Sequence, residues 1–258
     1  MKVMKPLKTK QIPTGDNYIY EIKYDGGSAV LRKQKGIVEI RHSDNPNLQN
    51  HKYPELVKDL KFLKDGTYIA ELCVFNESGV SHFPSFLKRQ CENRFKIEQR
   101  SKTYPVVAMI YDMTSDNGDD CVEESLLDRK RMLQHNVRES EHIKIVPYYP
   151  KPEPVLEQKD VLEGIVIKDL RTPYRFDSRD GWYKYRFNKE ETVKCVEYEE
   201  HPVGIVLKTE SGKRINLAGP RSEIAKQKII DDGEVFVEIS YNGKSEKGFR
   251  FTSVKRVL

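Results

Sequence analysis

The chain has 258 residues, of which 37% are hydrophobic and 33% are charged, and its net charge is +5. This length and composition allow a sizeable core in one or two domains, and exclude a membrane-spanning chain because no apolar run reaches transmembrane length. The small excess of basic residues permits an anionic partner such as nucleic acid without requiring one.

Cysteines and histidines give no sign of a metal or disulfide framework. The four cysteines are far apart and form no Cys-x-x-Cys pair, and the six histidines lack the spacing of metal ligands. The N-terminal segment also lacks the apolar core of a signal peptide. We therefore expect a soluble, cytoplasmic protein with reduced cysteines.

The first predicted elements surround a glycine turn. Residues 18–41 follow the pattern strand, turn, strand, turn, strand, and Lys23 lies where the first strand meets the turn Asp25-Gly26. A lysine can be a covalent nucleophile if burial or neighbouring cations lower its pKa enough to release the neutral amine. The tetrapeptide alone is weak evidence, because Asp-Gly is also a common hairpin turn.

Charged side chains recur in the predicted strands that follow. A helix is predicted after Pro54 and a second helix over residues 125–133. Glu71 interrupts an apolar run at 68–75, where an unpaired carboxylate would be costly. Further charges stand in or beside the predicted strands as Asp112, Glu163, Lys168, Lys184 and Arg186.

A domain boundary is predicted in the polar stretch 188–191. Beyond it, short strands are predicted at 193–198, 204–208, 235–241 and 248–254, with a helix at 222–230. About five short strands and one helix suit an OB-type barrel. We therefore expect a larger domain at 1–188 and a smaller one at 189–258.

The ordered motifs resemble those of ATP-dependent DNA ligases, within a wider group of nucleotidyltransferases that includes RNA ligases and mRNA capping enzymes. The motifs are Glu21-Ile22-Lys23-Tyr24-Asp25-Gly26, Glu71, Tyr111-Asp112, Glu163-Gly164-Ile165-Val166-Ile167-Lys168 and Lys184-Tyr185-Arg186. They extend over most of the chain, and the fourth is far more specific than Lys-x-Asp-Gly. The resemblance implies an α+β fold: an ATP-grasp-like adenylyltransferase domain with antiparallel sheets, followed by a small OB-fold β-barrel.

The resemblance also implies a mechanism. Lys23 would attack the α-phosphate of ATP to form lysyl-AMP, the AMP would pass to the 5′-phosphate of a nick, and the 3′-OH would then displace it. Each step is an in-line displacement in which positioning and charge neutralisation supply most of the catalysis. Lys168 and Lys184 would neutralise the phosphate and lower the pKa of Lys23 by like-charge repulsion.

The remaining site residues follow from the same resemblance. Glu163 would hold a divalent cation, Mg²⁺ or Mn²⁺, and Glu71 would contact the metal or the ribose. Glu21 would accept a hydrogen bond from the adenine amino group, which favours ATP over GTP. Ile22 and Tyr111 would line the nucleotide pocket, with Tyr111 stacking on the purine.

Several positions depart from the family pattern. Ser28 stands where the family usually has an arginine, and Arg32 shares its strand parity and is a candidate replacement. Arg41 resembles an arginine that contacts the nucleotide or the nick, and Arg186 replaces a lysine with a planar cation. A C-terminal basic group would orient pyrophosphate or grip the DNA backbone: Arg250, Lys255 and Arg256.

The expected substrate is nicked duplex DNA, bound by a monomer that takes part in DNA repair or replication. An RNA ligase is the nearest alternative, because Ser28 leaves the sealed strand open. A capping guanylyltransferase is disfavoured by Glu21. A non-enzymatic nucleic-acid-binding barrel protein is disfavoured because Lys23, Glu163, Lys168 and Lys184 are retained together.

Overall fold

The computed structural model describes residues 2–245 and 248–258, and the chain divides into two compact units, Met1–Tyr185 and Arg186–Leu258. In the first unit the strands are β1 (Leu7–Lys8), β2 (Tyr18–Ile22), β3 (Gly27–Gln34), β4 (Ile37–His42), β5 (Gly66–Cys73), β6 (Val107–Asp116), β7 (Asp119–Asp120), β8 (Ile143–Ile145), β9 (Tyr148–Tyr149), β10 (Gly164–Asp169) and β11 (Trp182–Arg186), the last of which crosses the boundary. The helices are α1 (Pro54–Leu60), α2 (Phe83–Lys88), α3 (Arg94–Thr103), α4 (Leu126–Asn136) and α5 (Glu153–Leu156), and a 3₁₀ turn, Asn50–Lys52, precedes α1.

Two largely antiparallel sheets build the first unit. One has the strand order β1-β11-β10-β2-β9, and the other has the order β4-β3-β5-β6-β7, with β8 paired to β6. The main core lies on the face of the second sheet that carries Ala29, Leu31 and Ile40. Because side chains alternate along a strand, Ser28 and Val30 point to the opposite face. The fold is thus a mixed α+β fold with antiparallel sheets, as expected.

Close packing explains the glycines that follow Lys23. A Cβ atom built on Gly26 would lie 2.1 Å from the carbonyl oxygen of Leu72 in β5, and one on Gly27 would lie 2.5 Å from a ring carbon of Phe86. Real Cβ atoms do not approach other atoms this closely. The turn between β2 and β3 therefore requires glycine if it is to rest against β5.

The second unit is a single sheet with one long helix. It contains β12 (Lys189–His201), β13 (Gly204–Thr209), β14 (Arg214–Ala218), α6 (Pro220–Asp232), β15 (Val235–Tyr241), β16 (Gly243–Ser245), β17 (Gly248–Arg250) and β18 (Ser253–Val257). The strand order is β16-β17-β14-β13-β12-β15-β18, and pairing within the described residues does not close this sheet into a ring. Its core is separate and contains Leu207, Val237 and Ile239.

Some elements differ from the predicted ones. The strand predicted at 193–198 is much longer, and the segment 248–254 is divided between β17 and β18 at Phe251, whose φ is +53°. Helices α2 and α3 and strand β14 had no counterpart among the predicted elements. No helix in the described ranges is long and apolar enough to cross a membrane.

Candidate functional site

A cavity of about 210 Å³ opens around Lys23, between strands of both sheets of the first unit. It brings together many of the predicted site residues: Glu21, Ile22, Lys23, Glu71, Tyr111, Lys168 and Lys184. The wall also includes Ser28, Trp182, the N-terminal segment 3–6, Tyr24, Val146 and Val166. The local cause is the pairing of β2 with β10, which sets Glu21 opposite Val166 and brings the two charged motifs to one end of the sheet.

Lys23 is held by the start of β10. Its backbone N–H donates to the carbonyl of Gly164 at 3.0 Å, and its Nζ donates to Oε2 of Glu163 at 2.6 Å. The lysine side chain is 18% exposed and the glutamate side chain 5% exposed. The amine therefore reaches the cavity while a nearly buried carboxylate lies within proton-transfer distance of it.

Glu71, on β5, lies directly opposite Ser28 on the neighbouring strand β3. The pKa of Glu71 is raised to about 7, chiefly by burial; the charge of Lys23 opposes this effect, and the charges of Glu163 and Asp25 add to it. This carboxyl group is therefore poised to change its charge near neutral pH. Glu71 and Glu163 thus form a small acidic group beside the Lys23 amine.

Glu21 lies between two lysines. Its Oε2 is 2.7 Å from Nζ of Lys168, and its Oε1 forms an ion pair with Lys130. Burial acts to raise the pKa of Glu21, but the two cations outweigh it and the pKa is lowered. Glu21 is therefore ionised at neutral pH, and each of its oxygens contacts an ammonium group.

Lys168 projects between two aromatic rings. Its Nζ lies 4.2 Å from the ring centroid of Trp182 and 4.5 Å from that of Tyr111. The pKa of Lys168 is lowered to about 8, chiefly by burial; the charge of Glu21 opposes this effect, and the positive charge of Lys130 adds to it. Tyr111 thus contacts the cation that faces the cavity, an arrangement compatible with the predicted stacking role, which stays a prediction.

Other predicted residues lie elsewhere. Arg32 and Arg41 line a second cavity, of about 460 Å³, on the same sheet face as Ser28 but farther along the strands. Both arginines are close to Glu39, at 3.9 Å and 3.2 Å. Neither Arg32 nor Arg41 is among the residues that line the Lys23 cavity.

The other predicted basic site residues, which are Arg186, Arg250, Lys255 and Arg256, belong to the second unit. The guanidinium of Arg186 lies 3.9 Å from the ring centroid of Phe251, and that of Arg250 lies 5.4 Å from it. Lys255 and Arg256 are exposed. Their assignments to pyrophosphate or DNA stay predictions.

The acidic residues suit a metal that arrives with a nucleotide. Among the residues that the structure describes, no cluster of three or more His, Cys, Asp or Glu side chains could hold an ion by itself. Mg²⁺ commonly binds through one or two carboxylates together with substrate phosphates. Glu163 lies close enough to Glu71 to raise the pKa of Glu71, and these two carboxyl groups fit that arrangement.

Lys130, which pairs with Glu21 beside the cavity, was not predicted from the sequence. Helix α4 begins at the N-cap Ser125, which accepts a hydrogen bond from the backbone N–H of Asp128. Its buried face follows the spacing i, i+3, i+4, i+7 with Leu126, Arg129, Lys130 and Leu133. This periodicity was visible in the sequence and predicts that a lysine at position 130 points inward.

Comparisons with known proteins identify the family of this chain. Residues 3–186 match the family model described as ATP dependent DNA ligase domain. The chain is 24% identical over 197 residues to a DNA ligase of Pyrobaculum islandicum, covering 71% of this chain and 33% of that protein. It is also 27% identical over 181 residues to the SPbeta prophage-derived DNA ligase-like protein LigB of Bacillus subtilis, covering 66% of this chain and 61% of the relative. The chain thus spans about a third of the first of these relatives.

Solved structures share the fold. A structure from work on Lig E DNA ligases superposes with a TM-score of 0.70 at 17% identity, covering 100% of this chain and 99% of the other. The ligase domain of LigD from M. tuberculosis superposes with a TM-score of 0.60 at 14% identity, covering 99% and 95%. Because the family model matches well over half of the sequence, the chain belongs to the ATP-dependent DNA ligase domain family.

Proposed function

We propose that this chain is an ATP-dependent DNA ligase that seals 3′-OH/5′-phosphate nicks in duplex DNA through a lysyl-AMP intermediate. The observation that carries the proposal is the Lys23 cavity, where the amine lies 2.6 Å from Glu163 and two further lysines, Lys168 and Lys184, line the same wall. Family membership supplies the reaction class.

In the first step, Nζ of Lys23 forms a bond to the α-phosphorus of ATP while the bond from that phosphorus to the bridging oxygen breaks and pyrophosphate leaves. The ammonium group must first lose a proton to solvent, and the Glu163 carboxylate, at 2.6 Å, holds Nζ in place for the attack. Lys168 and Lys184 offset the negative charge that accumulates around the α-phosphate.

Glu71 and Glu163 would hold Mg²⁺ or Mn²⁺ together with nucleotide oxygens. When bound, such an ion neutralises phosphate charge and orients the leaving group. Glu71 serves this role best once it has lost its proton, that is, above a pH of about 7.

The two later steps use the nick. AMP passes from Lys23 to the 5′-phosphate with release of the amine, and the 3′-OH then attacks that phosphate and displaces AMP. We assign residues 1–188 to adenylyl transfer and residues 189–258 to an OB-fold that grips the duplex backbone. The proposal places the protein inside the cell, because ATP and DNA are both intracellular. It also includes a monomeric state.

A nick-sealing assay tests the proposal. A duplex with one 5′-phosphorylated nick, ATP and Mg²⁺ should yield the sealed strand with the wild-type protein and no product with Lys23→Arg. A parallel duplex whose nicked strand is RNA separates the two ligase types. Sealing of the RNA strand alone would contradict the DNA assignment, and sealing of neither strand would contradict the ligase reaction.

A further inference from the structure

Helix α4 places a lysine directly behind the wall of the Lys23 cavity. Lys130 is 1% exposed, forms an ion pair with Oε1 of Glu21, and lies with its Nζ 5.4 Å from the ring centroid of Tyr148. Glu21 and Lys168 line the cavity, whereas Lys130 is not among its lining residues. Lys130 therefore acts on a bound ligand from behind the wall, through its ion pair with Glu21 and its charge repulsion with Lys168.

The charges of this buried trio do not cancel. Glu21 supplies one negative charge, and Lys130 and Lys168 supply two positive charges, all on side chains that are 1–3% exposed. Burying ions costs several kcal/mol each, so apolar side chains usually stabilise a core at least as well as a buried ion pair. Stability alone therefore does not account for a second lysine here, whereas an anionic ligand at the cavity would benefit from the surplus positive charge.

Glu21 and Lys130 are the charged groups that form the buried trio with Lys168. Asp112 also acts on Lys168, but its two oxygens accept hydrogen bonds from Arg129 at 2.8 Å and 3.0 Å. The uncharged rings of Tyr111 and Trp182 also lie close to Lys168, and Lys23, Lys184 and Glu71 line the same cavity. Within the trio of Glu21, Lys130 and Lys168, Lys130 decides whether the net charge is +1 or zero.

We propose that Lys130 is a positioning residue for adenylyl transfer, which occupies one oxygen of Glu21 so that Lys168 keeps positive charge available for the α-phosphate. This inference rests on the proposed function, because the α-phosphate of ATP is the group that it serves. Without Lys130, Glu21 would pair with Lys168 alone and cancel its charge.

The pH dependence of adduct formation separates this role from a structural one. Loss of protons from Lys23 and Glu71 should raise the rate of AMP-adduct formation with pH, whereas Lys168 must be protonated to bind the phosphate. On the alkaline side of the pH profile, the rate at low ATP should therefore fall as the pH rises through about 8. In Lys130→Met, the loss of repulsion and the undivided attraction of Glu21 raise the pKa of Lys168, so the fall should move up by roughly one pH unit. The rate below the fall should decrease roughly 10- to 100-fold, as for other groups that support an active site from behind.

Two variants serve as controls. Lys130→Arg keeps the positive charge and should retain the pH at which the rate falls. Arg131 is the next residue of the same helix, and its exposed side chain pairs with Asp128. The variant Arg131→Met should therefore behave like the wild type.

The failures are distinguishable. If wild-type protein forms no adduct with labelled ATP and Mg²⁺, the proposed function is wrong. If wild type forms the adduct and Lys130→Met loses rate equally at every pH, the positioning role is wrong. Lys130→Gln is measured as a second neutral variant; if neither neutral variant shows a cooperative melting transition, Lys130 serves stability and the inference is rejected.

Discussion

Glu21 illustrates how the structure changes the interpretation of a single residue. The motif resemblance assigns its carboxylate to the adenine amino group, yet its two oxygens contact Lys130 and Lys168. These ion pairs join Glu21 to Lys168, the lysine that is proposed to bind the α-phosphate, whether or not the base also contacts Glu21. The two roles lead to different outcomes for one substitution.

In Glu21→Gln, the amide leaves two buried ammonium groups without a counter-charge, and Lys168 loses the partner that keeps it protonated. We expect adduct formation with ATP to fall by roughly 10- to 100-fold, because Lys168 without its counter-charge is more often neutral and binds the phosphate less well. The ratio of ATP to GTP use should stay nearly constant. Labelled ATP and GTP measure both quantities, with Glu123→Gln, an exposed residue paired only to Arg175, as the control. A marked gain in GTP use would instead support the base contact.

Glu71 makes the stability of the protein depend on pH. Its pKa is raised from 4.5 to about 7 in the folded state, so the folded protein holds this proton more tightly than the unfolded chain does. This contribution is fully present below a pH of about 4.5 and is lost as the pH rises to about 7.

We therefore expect Glu71→Gln to gain stability relative to wild type as the pH rises through that window, by on the order of 1–3 kcal/mol, with no further change above it. Denaturant unfolding at acidic, neutral and alkaline pH measures the difference. Parallel stability curves for the two proteins would show that Glu71 titrates normally.

At this scale, residues of the contiguous motifs meet in one cavity, while their roles stay predictions. The Lys23 and Lys168 motifs lie on paired strands, and both reach the cavity. Sequence reasoning did not find Lys130, which lies 109 residues from Glu21 in the chain and meets it only through the packing of α4. Arg32 points to the same face of the sheet as Ser28, as its position in the strand predicts. Strand position does not determine how far Arg32 lies from the Lys23 cavity, and Arg32 lines another cavity.

At the scale of elements, the turn between β2 and β3 is the feature most sensitive to substitution. Gly26→Ala would drive a methyl group to 2.1 Å from the backbone carbonyl of Leu72, which a rotamer change cannot relieve. We expect a loss of roughly 1–3 kcal/mol of stability and a large loss of adduct formation, because Lys23 would shift with the turn. Thermal melting and the adduct assay measure the two effects.

Gly243→Ala provides a matched control for that substitution. A Cβ atom at Gly243 would meet the Arg250 side chain at an ordinary 3.8 Å, and Gly243 lies in the second unit. We expect it to leave adduct formation intact. Wild-type activity in Gly26→Ala would mean that the turn can move without displacing Lys23.

The predicted elements were most accurate where the period of the pattern was clear. The apolar runs that became β5, β6 and β10, and the helix after Pro54, were all placed by alternation or helical spacing. Helix α3 was missed because its exposed, highly charged sequence has one buried residue, Ile97, and so lacks an apolar stripe. Strand β14, with alternating buried Ile215 and Leu217, carried a signal that was overlooked.

For the whole molecule, the proposed DNA partner implies electrostatic binding. A chain with a net charge of +5 that contacts phosphates should release counterions on binding. We expect its affinity for a nicked duplex to fall at least tenfold between about 50 and about 200 mM salt. Fluorescence anisotropy with a labelled nicked duplex measures this dependence, and affinity that does not change with salt would contradict phosphate-backbone binding.

The division into two units was foreseeable from the polar stretch near residue 188, because few apolar contacts can cross such a segment. The strand pairing of the second unit was not foreseeable, since its sheet joins strands distant in sequence, such as β14 with β17 and β12 with β15. Long-range pairing depends on register and on shape, which single-sequence patterns do not encode.

Covalent labelling of Lys23 tests the central claim most directly. Wild-type protein incubated with labelled ATP and Mg²⁺ should gain one AMP that survives denaturation and maps to the peptide containing Lys23, whereas Lys23→Arg should gain none. The account is contradicted if wild-type protein gains no AMP, or if Lys23→Arg is labelled to the same extent.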